Sequence, residues 1–199
     1  ILGTGQSMMQ MTYARLLRSF APDKIFVITN VAYREIAKSQ LPDLMDENLL
    51  LEPVRKNTAP CIAYAGHKIL SIDTNSSVII TPSDHMILRE EQYDKAVQKA
   101  LKVVQKRDII VTLGIRPTRP DTGYGYIQYM EDVEEDGVFK VKTFVEKPPL
   151  DMATTFYQSG DFLWNAGIFI SNVRTLLNAY HHYLPEVNDL FKEIKKVYS

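Results

Sequence analysis

The sequence predicts an α/β fold, in which a mostly parallel sheet is covered by helices on both faces. Two observations predict it. Short β-branched runs alternate with amphipathic stretches between residues 7 and 115, and the connections are short, as in strand–helix–strand units of parallel sheets. The chain has 199 residues, of which 45% are hydrophobic, so it is long enough to bury the core of one large domain.

The first half of the chain supplies the alternating strands and helices. Ser7 and Gln10 have the spacing of a capping box, which predicts a helix that begins there and runs to about residue 20. Prolines and polar residues bound the runs that follow. We predict strands at residues 24–29, 49–51, 78–81 and 109–115, and helices at residues 31–40, from residue 58 onward and at residues 93–104.

The pattern changes after residue 116. Residues 124–129 and 138–145 flank an acidic turn region at residues 131–137, and this arrangement predicts a long hairpin. A helix at residues 151–158, a strand at residues 163–170 and two C-terminal helices follow. The sequence has no internal repeat and no low-complexity linker, so we predict a single domain over residues 1–199.

Composition excludes several classes of protein. Lys and Arg (23) nearly balance Asp and Glu (24), whereas a protein that binds nucleic acid through the phosphate backbone usually carries a basic surplus. The single cysteine, Cys61, excludes an internal disulfide and a multi-cysteine metal site. No apolar run approaches the roughly 20 residues of a membrane span, and the first residues lack the pattern of a signal peptide. We therefore expect a cytoplasmic protein with no nucleic-acid or membrane partner.

The first candidate site is the stretch at residues 52–60, which leaves a predicted strand and opens a helix. In open α/β sheets, reactive loops lie beyond the carboxyl ends of the strands. A helix N-terminus offers unpaired N–H groups, and Glu52, Asn57 and Thr58 add the donors and acceptors that a heterocyclic base edge requires. The alternative is structural: Asn57 or Thr58 caps the helix, and Arg55 and Lys56 form a solvated face.

The second candidate is the sequence Thr-Pro-Ser-Asp-His at residues 81–85. A carboxylate at the end of a strand suits Mg²⁺, which prefers one or two carboxylates together with substrate phosphates, so Asp84 is a candidate metal ligand. The alternative is a turn in which Asp84 bonds its own backbone. His85 does not predict zinc, because no other His or Cys lies at a metal-ligand spacing.

Three further candidates lie in the second half of the chain. In the loop at residues 117–126, glycines let a ligand approach the backbone, although the same pattern fits a tight hairpin entry. Glu146 and Lys147 suit a phosphorylated, polyhydroxylated ligand, or they form a surface ion pair. Asn165 lies in an apolar strand and must be hydrogen-bonded, either to a ligand hydroxyl or within the core.

Together and in this order, these motifs resemble those of one family, the bacterial mannose-1-phosphate guanylyltransferases. The resemblance covers nearly the whole chain, including residues 2–7, and the loop at residues 116–126 is its most specific part. The motifs that carry it are EPVRKNTAP at residues 52–60, PSDH at residues 82–85, RPTRPDTGYGY at residues 116–126, FVEKP at residues 144–148 and WNAGIF at residues 164–169.

The resemblance implies a nucleotide-diphospho-sugar transferase fold, with a Rossmann-like sheet, and the reaction of GTP with mannose 1-phosphate to give GDP-mannose and pyrophosphate. It divides the chain into a nucleotide-binding half (residues 1–115) and a sugar-binding half (residues 116–199). A homo-oligomer is compatible with the sequence. The reaction needs no strong general base, because a sugar phosphate is already ionised and attacks the α-phosphorus in line; positioning and charge neutralisation supply most of the rate.

The resemblance also implies a role for each matching residue. On the nucleotide side, the residues that surround the guanine would be Glu52, Asn57, Thr58, Ala59 and Pro60, with Ser83 near the ribose. Asp84 would hold Mg²⁺ and, with Lys147 at the sugar phosphate, would carry the catalysis. On the sugar side, Gly125 and Tyr126 would line the sugar, and Glu146 and Asn165 would bind its hydroxyls.

Two features of the family have no counterpart in these 199 residues: the opening strand with its Gly-rich phosphate loop, and a second metal-binding aspartate near the C-terminal part of the domain. We therefore expect the chain to be incomplete at both ends and to be impaired in catalysis by itself. Two other functions stay open. One is a non-catalytic regulatory subunit that binds a sugar nucleotide, and the other is a related sugar-1-phosphate transferase that uses a different base.

Overall fold

The computed structural model describes residues 5–54 and 57–194, and the chain divides into two compact units. The first unit contains Ile1–Ser76, Pro82–Tyr93 and Val173–Ser199, and the second contains Ser77–Thr81 and Asp94–Asn172. The predicted boundary between residues 115 and 116 is a functional one, between a nucleotide-binding half and a sugar-binding half, and it stays a prediction.

Helices and strands alternate through most of the chain. The helices are α1 (Met8–Leu17), α2 (Arg34–Gln40), α3 (Thr58–Ile72), α4 (Glu90–Val104), α5 (Leu150–Ser159), α6 (Val173–Tyr183) and α7 (Pro185–Ile194). The strands are β1 (Val27–Asn30), β2 (Leu49–Glu52), β3 (Ser77–Ile80), β4 (Ile110–Ile115), β5 (Tyr126–Glu135), β6 (Val138–Val145) and β7 (Phe162–Asn172). Short 3₁₀ turns precede β1, α2 and β2.

In the first unit, β1 and β2 form a parallel pair, in register from Val27 opposite Leu49 to Asn30 opposite Glu52. Helix α1 begins with the predicted capping box, in which the Ser7 side chain accepts from the backbone of Gln10 and the Gln10 side chain accepts from the backbone of Ser7. Its apolar face packs against the strands, and the helix and the strands share one hydrophobic core. The buried members of this core are Tyr13, Ile25, Ala37, Leu41, Leu44 and Leu49.

Helix α3 packs against α6 and α7 within the same unit. The close approach of α6 depends on Gly66, because a Cβ there would lie 3.1 Å from Cδ2 of Leu177. Phe191 of α7 stacks on the rings of Tyr64 and His67, with centroids 5.9 and 6.0 Å apart. Contacts from both C-terminal helices therefore fix the helix that follows the first candidate site.

The second unit is built on an antiparallel sheet, so the prediction of a mostly parallel sheet is wrong for this part of the chain. Strand β7 lies at its centre. Strands β3 and β5 pair with successive parts of one edge of β7, and β4 pairs along the other edge; β6 pairs with β5. A short apolar run looks the same in either kind of sheet, and β7 comes from a distant part of the sequence, so local pattern does not determine strand direction.

The hairpin of β5 and β6 is also tighter than predicted. The predicted turn at residues 131–137 reduces to Asp136 and Gly137, which have φ values of 53° and 78°. Positive φ at two successive residues is typical of a two-residue hairpin turn, and an Asp-Gly pair is a preferred sequence for it. The acidic residues before the turn therefore belong to β5, whose ladder has a register shift between Met130 and Glu134.

Most of the other predicted elements are confirmed, with ends that shift by a few residues. The predicted helix at residues 31–40 is an exception, because its first three residues form a 3₁₀ turn in which the Asn30 side chain accepts from the backbone of Ala32. Across residues 5–54 and 57–194, none of the helices has the length and apolar character needed to cross a membrane.

Candidate functional site

The first candidate site lies where β2 ends and α3 begins, in the first unit. Helix α3 begins at Thr58, as predicted, and Asn57 occupies the N-cap position. The side chain of Asn57 makes no capping hydrogen bond in the described part of the chain, so the structural alternative does not hold for this residue. Its φ is 68°, a value that costs a non-glycine residue about 1–3 kcal/mol. Arg55 and Lys56 lie outside the described residues.

The first turn of α3 is held from the side by α6. The hydroxyl of Tyr180 donates a 2.8 Å hydrogen bond to the carbonyl oxygen of Ala59. Burial, and secondarily the charge of Cys61, raises the pKa of Tyr180 to about 12, so this hydroxyl keeps its proton at neutral pH. A chemically stable donor therefore fixes the backbone next to Thr58 and Pro60.

Glu52 and Cys61 lie close enough on either side of this turn to affect each other electrostatically. Burial raises the pKa of the Cys61 thiol to about 11, with a further contribution from the charge of Glu52. Burial also raises the pKa of the Glu52 carboxyl above its ordinary value. The Glu52 side chain is thus a partly desolvated acceptor, which suits it to an N–H donor on a ligand.

The second candidate site, the turn that carries Asp84, follows β3 in sequence and belongs to the first unit. Ser83 and Asp84 are exposed. The Asp84 carboxylate makes no hydrogen bond or ion pair with the side chains and backbone that the structure describes, so the alternative of a self-bonded turn aspartate is not observed. Thr12 contacts the turn, with its hydroxyl 3.5 Å from the carbonyl oxygen of Ser83.

Beneath Thr12 lies a buried cation that the sequence did not indicate. Arg15 is 3% exposed, and its Nη2 donates to the Thr12 hydroxyl at 3.0 Å. The guanidinium lies over the ring of Tyr93, 5.4 Å from its centroid, and 4.0 Å from the carboxylate of Glu90, which also binds Arg18. Arg15 sits within an amphipathic helical pattern, where a charged residue is normally assigned to the solvent face, so its burial had no local signal.

In the second unit, Gly125, Glu146 and Asn165 come together although they are spread over 41 positions of sequence (from residue 125 to residue 165, inclusive). The backbone nitrogen of Asn165 donates to the carbonyl oxygen of Gly125 at 2.7 Å. A Cβ at Gly125 would lie 2.7 Å from Oε2 of Glu146 and 3.4 Å from Cβ of Asn165. A glycine backbone, a carboxylate and a carboxamide thus converge at one place.

The side-chain amide of Asn165 is satisfied at one end only. Its Oδ1 accepts from the hydroxyl of Thr112 at 3.0 Å and from the backbone nitrogen of Gly167 at 3.1 Å. Its Nδ2 donates to no group among the described residues. The two interpretations of Asn165 therefore concern different atoms: the oxygen is a satisfied core acceptor, and the nitrogen has no partner among the described residues.

Tyr126 does not present its ring to a ligand. Its side chain is fully buried, and its hydroxyl both accepts from the backbone nitrogen and donates to the carbonyl oxygen of Asp121. The ring packs on Phe156 in the core of the second unit. The aromatic side chain therefore anchors the loop at residues 117–126, and only its backbone is left for the predicted contact with a sugar.

Lys147 has an unusual backbone conformation. Its φ is 43°, although it is not glycine and precedes Pro148, and the residue before a proline normally adopts an extended conformation. Its Nζ lies 3.7 Å from Oε1 of Glu146, and both side chains are more than half exposed. An exposed ion pair of this kind contributes little to stability, so it does not explain the strain. Strain of this sort is typical of ligand-binding positions.

The predicted site residues thus belong to both units. The first unit carries Glu52, Asn57, Thr58, Ala59, Pro60, Ser83 and Asp84, and the second carries Gly125, Tyr126, Glu146, Lys147 and Asn165. Among the side chains that the structure describes, no group of three or more His, Cys, Asp or Glu residues could hold a metal. A cation at Asp84 would therefore need additional oxygen ligands from a substrate or from water.

Comparison with known proteins identifies the family. The family model described as nucleotidyl transferase matches residues 1–197. A mannose-1-phosphate guanylyltransferase from Salmonella montevideo is 40% identical over 176 residues, which are 85% of this chain and 36% of that protein. Another from Escherichia coli is 33% identical over 199 residues, 96% of this chain and 42% of that protein.

A solved structure has the same fold. The crystal structure of a protein from Thermus thermophilus, titled mannose-1-phosphate geranyltransferase, superposes with a TM-score of 0.85 and 25% identity, and the match covers 96% of this chain and 55% of that one. The chain thus spans 36–42% of the length of the two curated relatives from Salmonella and Escherichia. The family match over residues 1–197 and the shared fold lead to one conclusion: the chain belongs to the nucleotidyl transferase family.

Proposed function

We propose that this chain forms the nucleotidyltransferase part of an enzyme that makes GDP-mannose and pyrophosphate from GTP and mannose 1-phosphate. The observation that carries the proposal is the convergence of Gly125, Glu146 and Asn165 in a chain whose relatives are named mannose-1-phosphate guanylyltransferase. A carboxylate acceptor beside an amide donor matches the hydroxyl groups of a sugar, because each hydroxyl both donates and accepts.

On the sugar side, Glu146 accepts from a hydroxyl and Nδ2 of Asn165 donates to one. Gly125 lets the ring approach the backbone, because any side chain there would meet Glu146. Lys147, next in sequence, neutralises the sugar phosphate as a point charge. These roles explain why a strained lysine follows the glutamate.

On the nucleotide side, the start of α3 supplies the base site. Residues 57–60 present backbone groups at a helix N-terminus, and Glu52 accepts from N–H groups of the guanine. The Asn57 side chain has no capping bond and is left for the base edge. Ser83 lies near the ribose in this proposal.

Asp84 would hold Mg²⁺. Its carboxylate is exposed and has no partner among the described residues, and one carboxylate together with phosphate oxygens is a usual ligand set for this ion. When bound, the ion supplies positive charge next to the α-phosphate. Lys147 adds a second positive charge for the attacking phosphate, and opposite charges about 4 Å apart interact by about 4 kcal/mol at an effective dielectric constant near 20.

The reaction is a displacement at phosphorus. An oxygen of the ionised sugar phosphate attacks the α-phosphorus, the bond to the β-phosphate oxygen breaks, and pyrophosphate leaves on the opposite side. No proton has to be removed from the attacking group. The protein therefore contributes mainly by positioning the substrates and neutralising their charge: Lys147 neutralises the sugar phosphate, and Asp84 would hold the cation.

The proposal is tested on the complete protein by measuring pyrophosphate release with mannose 1-phosphate and GTP, UTP or dTTP. We expect release with GTP, and a strong dependence on added Mg²⁺. Release that is faster with UTP or dTTP would identify a related transferase with another base specificity. Binding of GDP-mannose without release would identify a regulatory subunit. Either result would overturn the proposal. A homo-oligomeric state and a cytoplasmic location belong to the same proposal.

A further inference from the structure

We propose that Thr112 is a positioning residue for sugar recognition. Its hydroxyl holds the side-chain amide of Asn165 in place, while the N–H of Gly167 keeps Oδ1 inward and leaves Nδ2 as the end offered to the ligand. This inference rests on the proposed function, because it assigns Asn165 to the sugar. Thr112 itself makes no contact with the ligand in this proposal, and it acts through Asn165.

The hydrogen-bond partners identify the two ends of the amide. The backbone N–H of Gly167 can only donate, so the atom 3.1 Å from it must be the amide oxygen of Asn165. The hydroxyl of Thr112 lies 3.0 Å from the same oxygen and 3.1 Å from the carbonyl oxygen of Ile168, so its single hydrogen lies between two acceptors. A flipped amide would point an N–H at the N–H of Gly167, so Gly167 sets which end faces inward, and the Thr112 hydroxyl holds the amide in place beside it.

A break in the β4–β7 ladder brings the two side chains together. Thr112 pairs with Phe169, and in an unbroken antiparallel ladder the partner of Asn165 would be residue 116. The register shift makes this partner Gly114 instead, two residues nearer to Thr112. Gly114 also permits the close approach of β7, because a Cβ there would lie 2.5 Å from Cδ1 of Leu163.

The break in the ladder also changes the backbone of β7. Gly167 has a φ of 66°, which turns its N–H toward the side chain of Asn165. Bulges of this kind re-aim a side chain at the expense of ladder hydrogen bonds, and they are common next to active sites. The hydroxyl at position 112 and the bulge thus act on the same amide, from two strands.

The test compares Thr112→Val, which keeps the shape but removes the donor, with Thr112→Ser, which keeps the donor. The affinities of the complete protein for GDP-mannose and for GTP are measured by titration calorimetry. We expect T112V to weaken GDP-mannose binding about fivefold to tenfold and to leave GTP binding unchanged. T112S should stay within about twofold of the wild type, since the loss of one net hydrogen bond is what separates the two variants.

A double-mutant cycle tests whether Thr112 acts through Asn165. Asn165→Asp keeps an oxygen that accepts from Thr112 and Gly167 but replaces the donor offered to the sugar by an acceptor, so it should lose GDP-mannose affinity and keep its melting temperature. In the N165D background, T112V should add less than about a twofold loss. Independent, additive losses would overturn the inference. Thr112→Ala gives the same comparison if the valine variant does not fold.

The outcomes separate the two proposals. If the wild-type protein does not bind GDP-mannose, the proposed function fails and the inference fails with it. If the wild type binds and T112V binds equally well, only the inference fails. Equal weakening of GDP-mannose and GTP binding by T112V, together with a lower melting temperature, would reduce Thr112 to a structural role and would also overturn it.

Discussion

Gly125 and Glu146 are packed so closely that a Cβ on the glycine would lie 2.7 Å from Oε2 of the carboxylate. A methyl carbon and a carboxylate oxygen that are not covalently linked cannot remain at that distance. The obstructing atoms, Oε2 of Glu146 and, at 3.2 Å, Cζ of Phe144, are the far ends of side chains, so the fold can tolerate a methyl group at residue 125. The carboxylate, however, must then leave its place.

We therefore expect Gly125→Ala to weaken mannose 1-phosphate binding about tenfold or more, since a hydrogen bond to a charged group contributes about 1.5–3 kcal/mol. The affinity for GTP and the melting temperature should stay near those of the wild type. Calorimetric titration with both ligands measures the first two, and thermal unfolding the third. In a Glu146→Ala background the alanine should add almost nothing, and a full additional loss would contradict the displacement argument.

Lys147 combines a charge with a strained backbone, and two substitutions separate them. Lys147→Ala removes the ammonium and keeps the strain at φ 43°, whereas Lys147→Gly removes both. We expect each variant to release pyrophosphate about a thousandfold more slowly, because several kcal/mol of charge neutralisation are lost. K147G should unfold at a higher temperature than K147A, by about 1 kcal/mol in unfolding free energy. Near-normal turnover of K147A would contradict the assigned role.

The hydrogen bond from Tyr180 to Ala59 gives α6 a direct influence on the base site. Tyr180→Phe removes the donor and leaves the ring packed, so the unfolding free energy should fall by about 1 kcal/mol. The KM for GTP should rise, and the KM for mannose 1-phosphate should stay unchanged. Tyr183→Phe is the matched control, because Tyr183 lies on the same helix and is 83% exposed. Equal effects of Tyr180→Phe and Tyr183→Phe would contradict the prediction.

The raised pKa of Glu52 predicts the sign of a pH effect on stability. In the folded protein, burial favours the protonated carboxyl, so the native state binds more protons than the unfolded state between the ordinary pKa of 4.5 and the raised one. Stability therefore falls as pH rises through the raised pKa. We expect Glu52→Gln to have a higher melting temperature than the wild type at pH 7 and to lose that advantage below about pH 4.5, where both residues are neutral.

The same variant gives an independent measurement at Cys61. Part of the elevation of its pKa to about 11 comes from the charge of Glu52, and only the thiolate reacts with an alkylating reagent. Cys61 should therefore be alkylated faster in E52Q than in the wild type at pH 8. Mass spectrometry of the intact protein follows the reaction. An unchanged rate would mean that burial alone controls the thiol.

Much of the fold followed from local patterns. The capping box of Ser7 and Gln10, the start of α3 at Thr58 and the amphipathic α4 are all encoded within a few residues, and all three were predictable. Strand direction was not, because it depends on β7, which pairs with β3 about 90 residues away. The apolar run of β3 is equally compatible with a parallel or an antiparallel neighbour.

The residues of the candidate site were also predictable only in part. Glu146 was recognisable as a candidate because it follows the end of a strand. Asn165 was recognisable because it is a polar side chain in an apolar strand, where it needs a partner. Thr112 was not, because its hydroxyl reaches Asn165 across 53 positions of sequence through a register shift that no local pattern encodes. The burial of the Tyr126 ring was not predictable, because two tyrosines, Tyr124 and Tyr126, flank Gly125 and the local sequence does not reveal which ring faces inward.

The central position of β7 restricts how this chain can vary in length. With β3 and β5 on one edge and β4 on the other, inserting or deleting one residue in Phe162–Asn172 would move side chains to opposite faces in three pairings together. The bulge that orients Asn165 would lose its register as well. Natural insertions should therefore collect in surface loops, such as the Asp136–Gly137 turn, and spare this strand.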